Sequence, residues 1–451
     1  MKSLLAAILL WIASSLATAQ INIKYEKFTL PNGLQVILNE DHSVPLISVN
    51  IWYHVGSGRE KPGRTGFAHL FEHIMFEGSG HVPDGKFDQW LEAAGGDNNG
   101  STTSDRTNYY EIVPSNALEL PLFLESDRLG YLLDVMSPAR VDQQRDVVKN
   151  EKRQSYDNQP YGMASIVIDS TVYPPTHPYH WPTIGSMDDL TAASFEDVVD
   201  FFKKYYTPTN ASLVIAGDID PKKTRSLVER WFSDVPPGKP LPPIAPPVAF
   251  LTEEKRIIIE DKVQLPRVYM VWLSPAFYTP GDAELDVLAN ILAGGKNSRL
   301  YKRLVYDLQI AQDVSAFEES SVLGSKFNII ATARSGHTLA EIMKIIQEEI
   351  DRVKSETPTA REVQRAVNQY EASFLDRIQR IGDKADQLNG YFTATGNPDY
   401  FNEDLSRYKS LSPADVQSMA QTYLKDNGRL ILSIVPEGKK ELGVPIAKGG
   451  N

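Results

Sequence analysis

The sequence predicts an α+β protein built from two homologous halves, each an α/β roll in which a sheet carries helices on one side. Three observations predict it. A proline-rich stretch divides the chain, the two parts share patterns at a nearly constant offset, and strand-like and helix-like runs are gathered separately within each part. The dividing stretch is 236–247, where seven of twelve residues are proline. Such a run forms neither a helix nor a central strand and behaves as a semi-rigid extended spacer. It leaves 20–235 on one side and 248–451 on the other.

The N-terminal residues read differently. Lys2 precedes an almost wholly apolar run, Leu4 to Leu16, and then Ala17-Thr18-Ala19. The run is too short to span a bilayer, and small residues at its end form a cleavage site. Residues 1–19 are therefore expected to be a secretion signal, which makes the mature chain secreted or periplasmic. An uncleaved anchor is the alternative. No later apolar run is long enough to cross a membrane, so no span is expected after signal removal.

In the first half, Leu34 to Leu38 and Ile47 to Tyr53 are β-branched and aromatic runs bounded by turn residues such as Asn32-Gly33, which predicts strands. Helical periodicity follows over Gly66–Phe76, Asp84–Ala94, Ala117–Leu132 and Val141–Tyr156. Near the end of this half, Ser194 opens a helix to Tyr205, with an acid, Asp197, three residues on, and the strand Leu213–Ala216 follows. In the second half, at an offset of 218, Ser412 and Asp415 open a helix to Tyr423, and the strand Leu430–Leu432 follows. Both starts are serine N-caps with an acid at the third helical position, and Pro413 strengthens the second. Leu70 to Gly78 likewise aligns with Val287 to Gly295 at an offset of 217. Two separated matches at almost one offset indicate internal duplication.

Composition narrows the chemistry. With 42% hydrophobic and 23% charged residues the chain is ordinary and globular. A net charge of -12 argues against a nucleic-acid partner, whose phosphates would repel it. There is no cysteine, so no disulfide staples the fold, and any metal site must use His, Asp and Glu.

His69-Leu70-Phe71-Glu72-His73 is the most informative segment. Histidines at i and i+4 lie on one helix face, one turn apart, and can reach a single zinc. Glu72 stands beside them and can take the proton of a water on the same metal. The order His-x-x-Glu-His inverts the commoner metalloprotease arrangement. The apolar flanks Phe67, Ile74, Met75 and Phe76 bury the helix, and buried imidazoles and carboxylates need partners. A third ligand leaves one coordination place open. On the helical stretch Val141–Tyr156, Gln144, Val147, Val148 and Glu151 share a face, so Glu151 sits among apolar neighbours and is the best candidate. A surface salt-bridge glutamate is the competing reading.

These residues resemble the pitrilysin/insulinase family of zinc peptidases, which includes the mitochondrial processing peptidases. The family shows His-x-x-Glu-His and then a ligand glutamate well downstream on another helix, and the spacing from His73 to Glu151 fits that pattern. Glu151-Lys152-Arg153-Gln154, Pro160-Tyr161-Gly162 and Gly95-Gly96-Asp97-Asn98-Asn99-Gly100-Ser101-Thr102 also look like the family. The resemblance covers almost the whole mature chain. It implies one Zn2+ per chain on His69, His73 and Glu151, with Glu72 as general base, and cleavage of extended peptides inside a chamber enclosed by two such chains. Homodimer and heterodimer both remain open. Asn98 to Thr102 matches the edge strand where a peptide adds by backbone pairing. Asn99 is the candidate substrate contact, with an ordinary turn asparagine the alternative.

Two departures matter. Many relatives carry a glutamate seven residues before the third ligand, where this chain has Gln144, which can hydrogen-bond behind the ligands but supplies no charge. Relatives also clamp substrate with an arginine and a tyrosine seven residues apart in a second-half domain. The best alignment of Leu304 to Gln312 puts Val305 and Gln312 there, with Arg299, Tyr301, Arg303 and Tyr306 nearby, so a partner chain is expected to supply the clamp. The second copy has lost its metal: Asp286, Ala289 and Asn290 stand where His69, Glu72 and His73 stand. His177 and His180, in a proline-rich loop, read as loop packing. The rival functional reading is a catalytically silent peptide-binding or assembly subunit.

Overall fold

The computed structural model describes residues 20–446, and the expected signal segment 1–19 lies outside them. Its strands are β1 (Glu26–Thr29), β2 (Gln35–Glu40), β3 (Leu46–Tyr53), β4 (Asp97–Thr102), β5 (Thr107–Pro114), β6 (Ala211–Gly217), β7 (Lys255–Asp261), β8 (Arg267–Ser274), β9 (Ala311–Glu319), β10 (Ser325–Ala333) and β11 (Arg429–Pro436). They form two sheets, ordered β1-β2-β6-β3-β5-β4 and β7-β11-β8-β10-β9. In the first, β2 and β6 are parallel and the other pairs antiparallel. In the second, β7 and β11 are parallel and the rest antiparallel. Remove β1 and the two sheets share order and sense throughout, which is the duplication seen in three dimensions. Residues 236–247 carry neither helix nor strand.

The helices that matter below are α1 (Phe67–Ile74), α2 (Pro138–Lys152), α3 (Ala164–Val172), α4 (Phe195–Tyr205), α5 (Asp282–Ala293), α6 (Ala360–Gln379), α7 (Ile381–Thr395) and α8 (Pro413–Tyr423). α4 and α8 start as the sequence predicts, each with a complete capping box, Ser194 with Asp197 and Ser412 with Asp415. β6 and β11 are buried along their whole length, which suits inner strands made of small and β-branched residues. Among the described residues no helix is long and apolar enough to cross a membrane.

Each half packs its own helices on one face of its sheet. In the first half Val49, Ile51, Leu213 and Ile215 meet Leu70, Phe71, Val198 and Phe202. In the second Met270, Trp272 and Ile431 meet Leu288, Leu292 and Val416. The structure adds what covers the other faces. α7, from the second half, lies on the first sheet, Ala385 and Leu388 against Val214 and Ala216. α3, from the first half, lies on the second sheet, Ile168 and Val172 against Val271 and Leu432. The halves exchange corresponding helices, so each completes the other's layers.

One helix differs from its expectation. α2 begins at Pro138, capped by Ser137, three residues before the expected start, because proline suits the first helical position. It ends at Lys152 and passes into a wider π-type turn, Arg153–Asp157. Val141, Gln144 and Val148 are its buried face, and Val147 is 40% exposed. The 3.6-residue period puts 144 and 148 on one line with 151 and turns 147 outward, so Val147 is not part of the face predicted for it.

Candidate metal centre

α1 buries Phe67, Ala68, Leu70, Phe71 and Ile74, and this leaves His69, Glu72 and His73 together on the side away from the core. The helix starts from Gly66 in a left-handed conformation (φ 91°), with no side-chain cap of its own. Glu60 supplies the missing acceptors from outside: its carboxylate accepts the Gly66 N–H at 2.9 Å and the Ala68 N–H at 2.8 Å. Burial pushes the Glu60 carboxyl up to about 8 against the pull of these bonds. The Tyr109 hydroxyl donates to the Phe71 carbonyl at 3.0 Å and ties the middle of α1 to β5.

α2 packs beside α1 and delivers Glu151. Its Oε2 lies 3.0 Å from His69 Nε2 and 3.1 Å from His73 Nε2, and the two nitrogens are 3.3 Å apart. Two ligands held ~2.05 Å from a zinc at the tetrahedral angle stand ~3.3 Å apart. The three observed edges therefore outline one face of such a tetrahedron. Among the described residues this is the one group of three His, Asp or Glu side chains whose donor atoms converge closely enough to hold a metal ion. The donor set, two imidazoles and a carboxylate, suits zinc with a place left open.

Electrostatics support the grouping. Hydrogen bonds from His69 and His73 hold the Glu151 carboxyl well below the usual range. Burial would depress His69, but Glu151 and Glu72 outweigh it and raise it to about 9. Glu72 Oε2 is 3.4 Å from His69 Nδ1. Burial raises the Glu72 carboxyl, yet hydrogen bonds with His69 and Thr102 leave it below its ordinary value. The backbone of β4 passes beside it: a Cβ at Gly100 would stand 3.3 Å from Glu72 Cγ.

Comparison with known proteins places these features. The family described as "Insulinase (Peptidase family M16)" matches residues 35–172, and that described as "Peptidase M16 inactive domain" matches 192–370. The chain belongs to the pitrilysin/insulinase family. It is 29% identical over 449 residues to the zinc protease PqqE of Helicobacter pylori, covering 96% of this chain and 97% of that one. It is 23% identical over 425 residues to a probable mitochondrial-processing peptidase subunit beta of Arabidopsis thaliana, covering 90% and 78%. The crystal structure of a protease from Helicobacter pylori superposes with a TM-score of 0.85 at 27% identity, covering 92% of this chain and all of the other.

The M16 halves differ in their chemistry. In the second, Asp286 bonds the Tyr408 hydroxyl at 2.7 Å. Asn290 Nδ2 donates to Gln369 Oε1 at 3.1 Å, where His73 meets Glu151 in the first. Of the other expected site residues, Gln144 is buried two turns before Glu151. Asn99 lies exposed on β4, and its Oδ1 accepts the Gly100 N–H at 2.8 Å. By register it shares a face with Tyr110 and Asn50, the face turned to α7 and away from Glu72. Val305 is half-buried beside β9, Gln312 is exposed on it, and both neighbouring arginines are committed: Arg299 to Glu362 at 2.7 Å, Arg303 to Glu348 and Glu349 at 2.7 and 2.9 Å. Tyr306 is 72% exposed. His177 and His180 serve the loop, His177 accepting the Tyr179 N–H and His180 bonding the Tyr173 carbonyl. Sequence reasoning missed Glu60. The available signal was negative: a helix opening on glycine with no capping side chain must find its acceptors elsewhere.

Proposed function

We propose that this chain is a zinc metalloendopeptidase that cleaves extended peptides, with His69, His73 and Glu151 holding one Zn2+ and Glu72 as general base. The observation that carries the reading is the convergence of three ligand atoms, spaced 3.0–3.3 Å, directly beside Glu72 and the outer strand of a sheet. When bound, zinc supplies Lewis-acid polarisation of the scissile carbonyl and acidifies water. Glu72 accepts the proton of the attacking water and passes it to the leaving amine. β4 ends its sheet. Thr103 donates inward to Arg106, and an antiparallel ladder alternates, so the backbone groups of Asn98, Gly100 and Thr102 point outward for a peptide strand to pair with. Asn99 is the substrate contact in this reading: its side chain guards the Gly100 N–H and gives it up when a strand arrives. Gln144 acts as a polar backing residue behind Glu151.

The protein works outside the cytoplasm, secreted or periplasmic, and pairs with a second chain of the same fold that supplies the substrate clamp. The relative called a "subunit" supports that pairing, as do Val305 and Gln312 at the clamp positions. A catalytically silent binding subunit is the second reading, favoured by those same two positions. The test is purification with native neighbours, metal analysis, and a quenched-peptide assay with and without chelator. Stoichiometric zinc with chelator-sensitive cleavage supports the peptidase. Stoichiometric zinc without turnover, with all neighbours added, supports the silent subunit.

A further inference from the structure

The second half carries none of the metal ligands, yet its helix α7 lies against the sheet that bears the site. We infer that Asp386, on α7, is a positioning residue for β4, fixing the outer strand on which a peptide would pair; the inference rests on the peptidase reading of the site. Asp386 Oδ1 accepts from Asn50 Nδ2 at 3.3 Å and Trp52 Nε1 at 3.0 Å on β3, and from Asn108 Nδ2 at 3.1 Å on β5. An amide has a donor end and an acceptor end. With its NH2 turned to the carboxylate, Asn108 must present its oxygen to β4. That oxygen accepts from Ser101 Oγ at 2.7 Å and from Arg106 Nη1 at 3.1 Å. Arg106 Nη1 also reaches the Ser101 carbonyl at 2.9 Å and hydroxyl at 2.6 Å, and the guanidinium lies over the Trp52 ring at 5.0 Å. Ser101 stands between Gly100, whose backbone borders Glu72, and Thr102, whose side chain helps to lower the Glu72 carboxyl. A carboxylate from the metal-free half thus sets an asparagine, which sets the arginine and serine that hold the strand.

The duplication provides the comparison. Asp169 on α3 corresponds to Asp386 on α7 at the offset of 217, and Arg106, immediately before β5, to Lys326 on β10 at an offset of 220. In that copy of the seam, acid and base pair directly, Lys326 with Asp169, and Lys326 also reaches Glu319 at 3.2 Å. In the metal-bearing half, Asp386 and Arg106 form no ion pair with each other. A direct pair is the simpler way to join two halves, since each charge neutralises the other out of water. Separating them and inserting Asn108 frees the guanidinium to grip β4, and departures of this kind from the simplest packing concentrate at functional sites.

The test uses the full chain with its zinc and native partner. Asp386→Asn offers an amide in place of the carboxylate, so Asn108 is no longer held in one orientation. KM for quenched peptides should rise about tenfold, with kcat per bound zinc falling less than KM rises and zinc stoichiometry unchanged. Arg106→Lys keeps the charge and loses the fork, and should do the same. The double variant should be no worse than the poorer single one, because both act on one network. Hydrogen exchange at the amides of Asn98 to Thr102 should quicken in each. An unchanged KM with a lower melting temperature would make Asp386 a structural residue and overturn the inference, as would additive effects. If the parent cleaves no peptide, the peptidase reading fails; the exchange measurement then decides, and unchanged protection of β4 in Asp386→Asn sinks the positioning role.

Discussion

Replacing Glu72 by glutamine separates holding the metal from using it. Glutamine has the same shape, so the packing against Gly100 survives, but an amide takes no proton. Glu72 is not among the three converging atoms: its oxygen faces His69 Nδ1 at 3.4 Å, while Glu151 faces His69 Nε2 at 3.0 Å. Zinc should therefore remain at one per chain, with affinity lowered by no more than ~10–100-fold through the weaker partner behind His69. A positioned general base contributes ~10²–10⁴ in rate, or about 3–5.5 kcal/mol of barrier. The assay is quenched-peptide cleavage at saturating free zinc, so that affinity and chemistry are read apart, alongside metal analysis of the same sample. A variant within about fivefold of the parent would remove Glu72 from the reaction. Complete loss of zinc would make it a ligand and redraw the centre.

Glu151→Gln should weaken zinc by more than ~100-fold, beyond the cost of losing an outer partner, as measured by competition with a chromogenic chelator. Lys326→Met leaves the half-buried Asp169 carboxylate without its cation and should cost ~1–3 kcal/mol in urea unfolding near pH 8. Burial already raises Asp169 to about 6 from 3.8. A raised acid binds its proton more tightly folded than unfolded, so its unfavourable contribution grows from pH 3.8 upward and shrinks on acidification. The deficit of the Lys326 variant should accordingly be smaller at pH 5 than at pH 8. Burial holds Glu318 up to about 9 from 4.5, so the same sign makes the parent lose stability between pH 4.5 and 9. Glu318→Gln imitates the protonated form, and its melting temperature relative to the parent should rise steadily from pH 6 to pH 9.

Much of this was legible in the sequence because it depends on local rules. The caps Ser194 and Ser412, the i, i+4 histidines and the proline run each state their consequence within a few residues. Glu151 was reachable because a 3.6-residue period puts it in line with buried Gln144 and Val148, although its own side chain is 37% exposed, and the same period, followed too loosely, brought in Val147. What was not legible depends on contacts between distant parts of the chain. Nothing near Asp386 announces that it will meet Asn50, Trp52 and Asn108, and nothing near Glu60 marks it as the cap of α1. Nor does the exchange of α3 and α7 leave a local trace. Each half's sheet has two apolar faces, and periodicity says that both must be covered without saying by which helix.

The copy without ligands also bears on what the metal is for. In the second half Asn290 on α5 and Gln369 on α6 are bonded at 3.1 Å at the positions that correspond to His73 and Glu151, which are separated by 3.1 Å. That helix pair stands without a metal-ligand set across it, with Val287, Leu288, Ala366 and Val367 buried in one core. The pair in the first half has additional anchors, since Glu60 fixes the start of α1, Tyr109 its middle, and Val148 packs fully buried from α2. A structural zinc contributes folding energy outright, whereas a catalytic one sits in a scaffold that other forces hold. On the peptidase reading proposed above, the scaffold here is of the second kind. Chelation should abolish cleavage while shifting the melting temperature only by the linkage expected for ligand release, about 3 kcal/mol at a hundredfold excess of zinc over its dissociation constant. Zinc restored afterwards should return activity without a refolding lag. A chelated protein that lost its cooperative melt would mean that the two halves, alike in architecture, are stabilised by different forces.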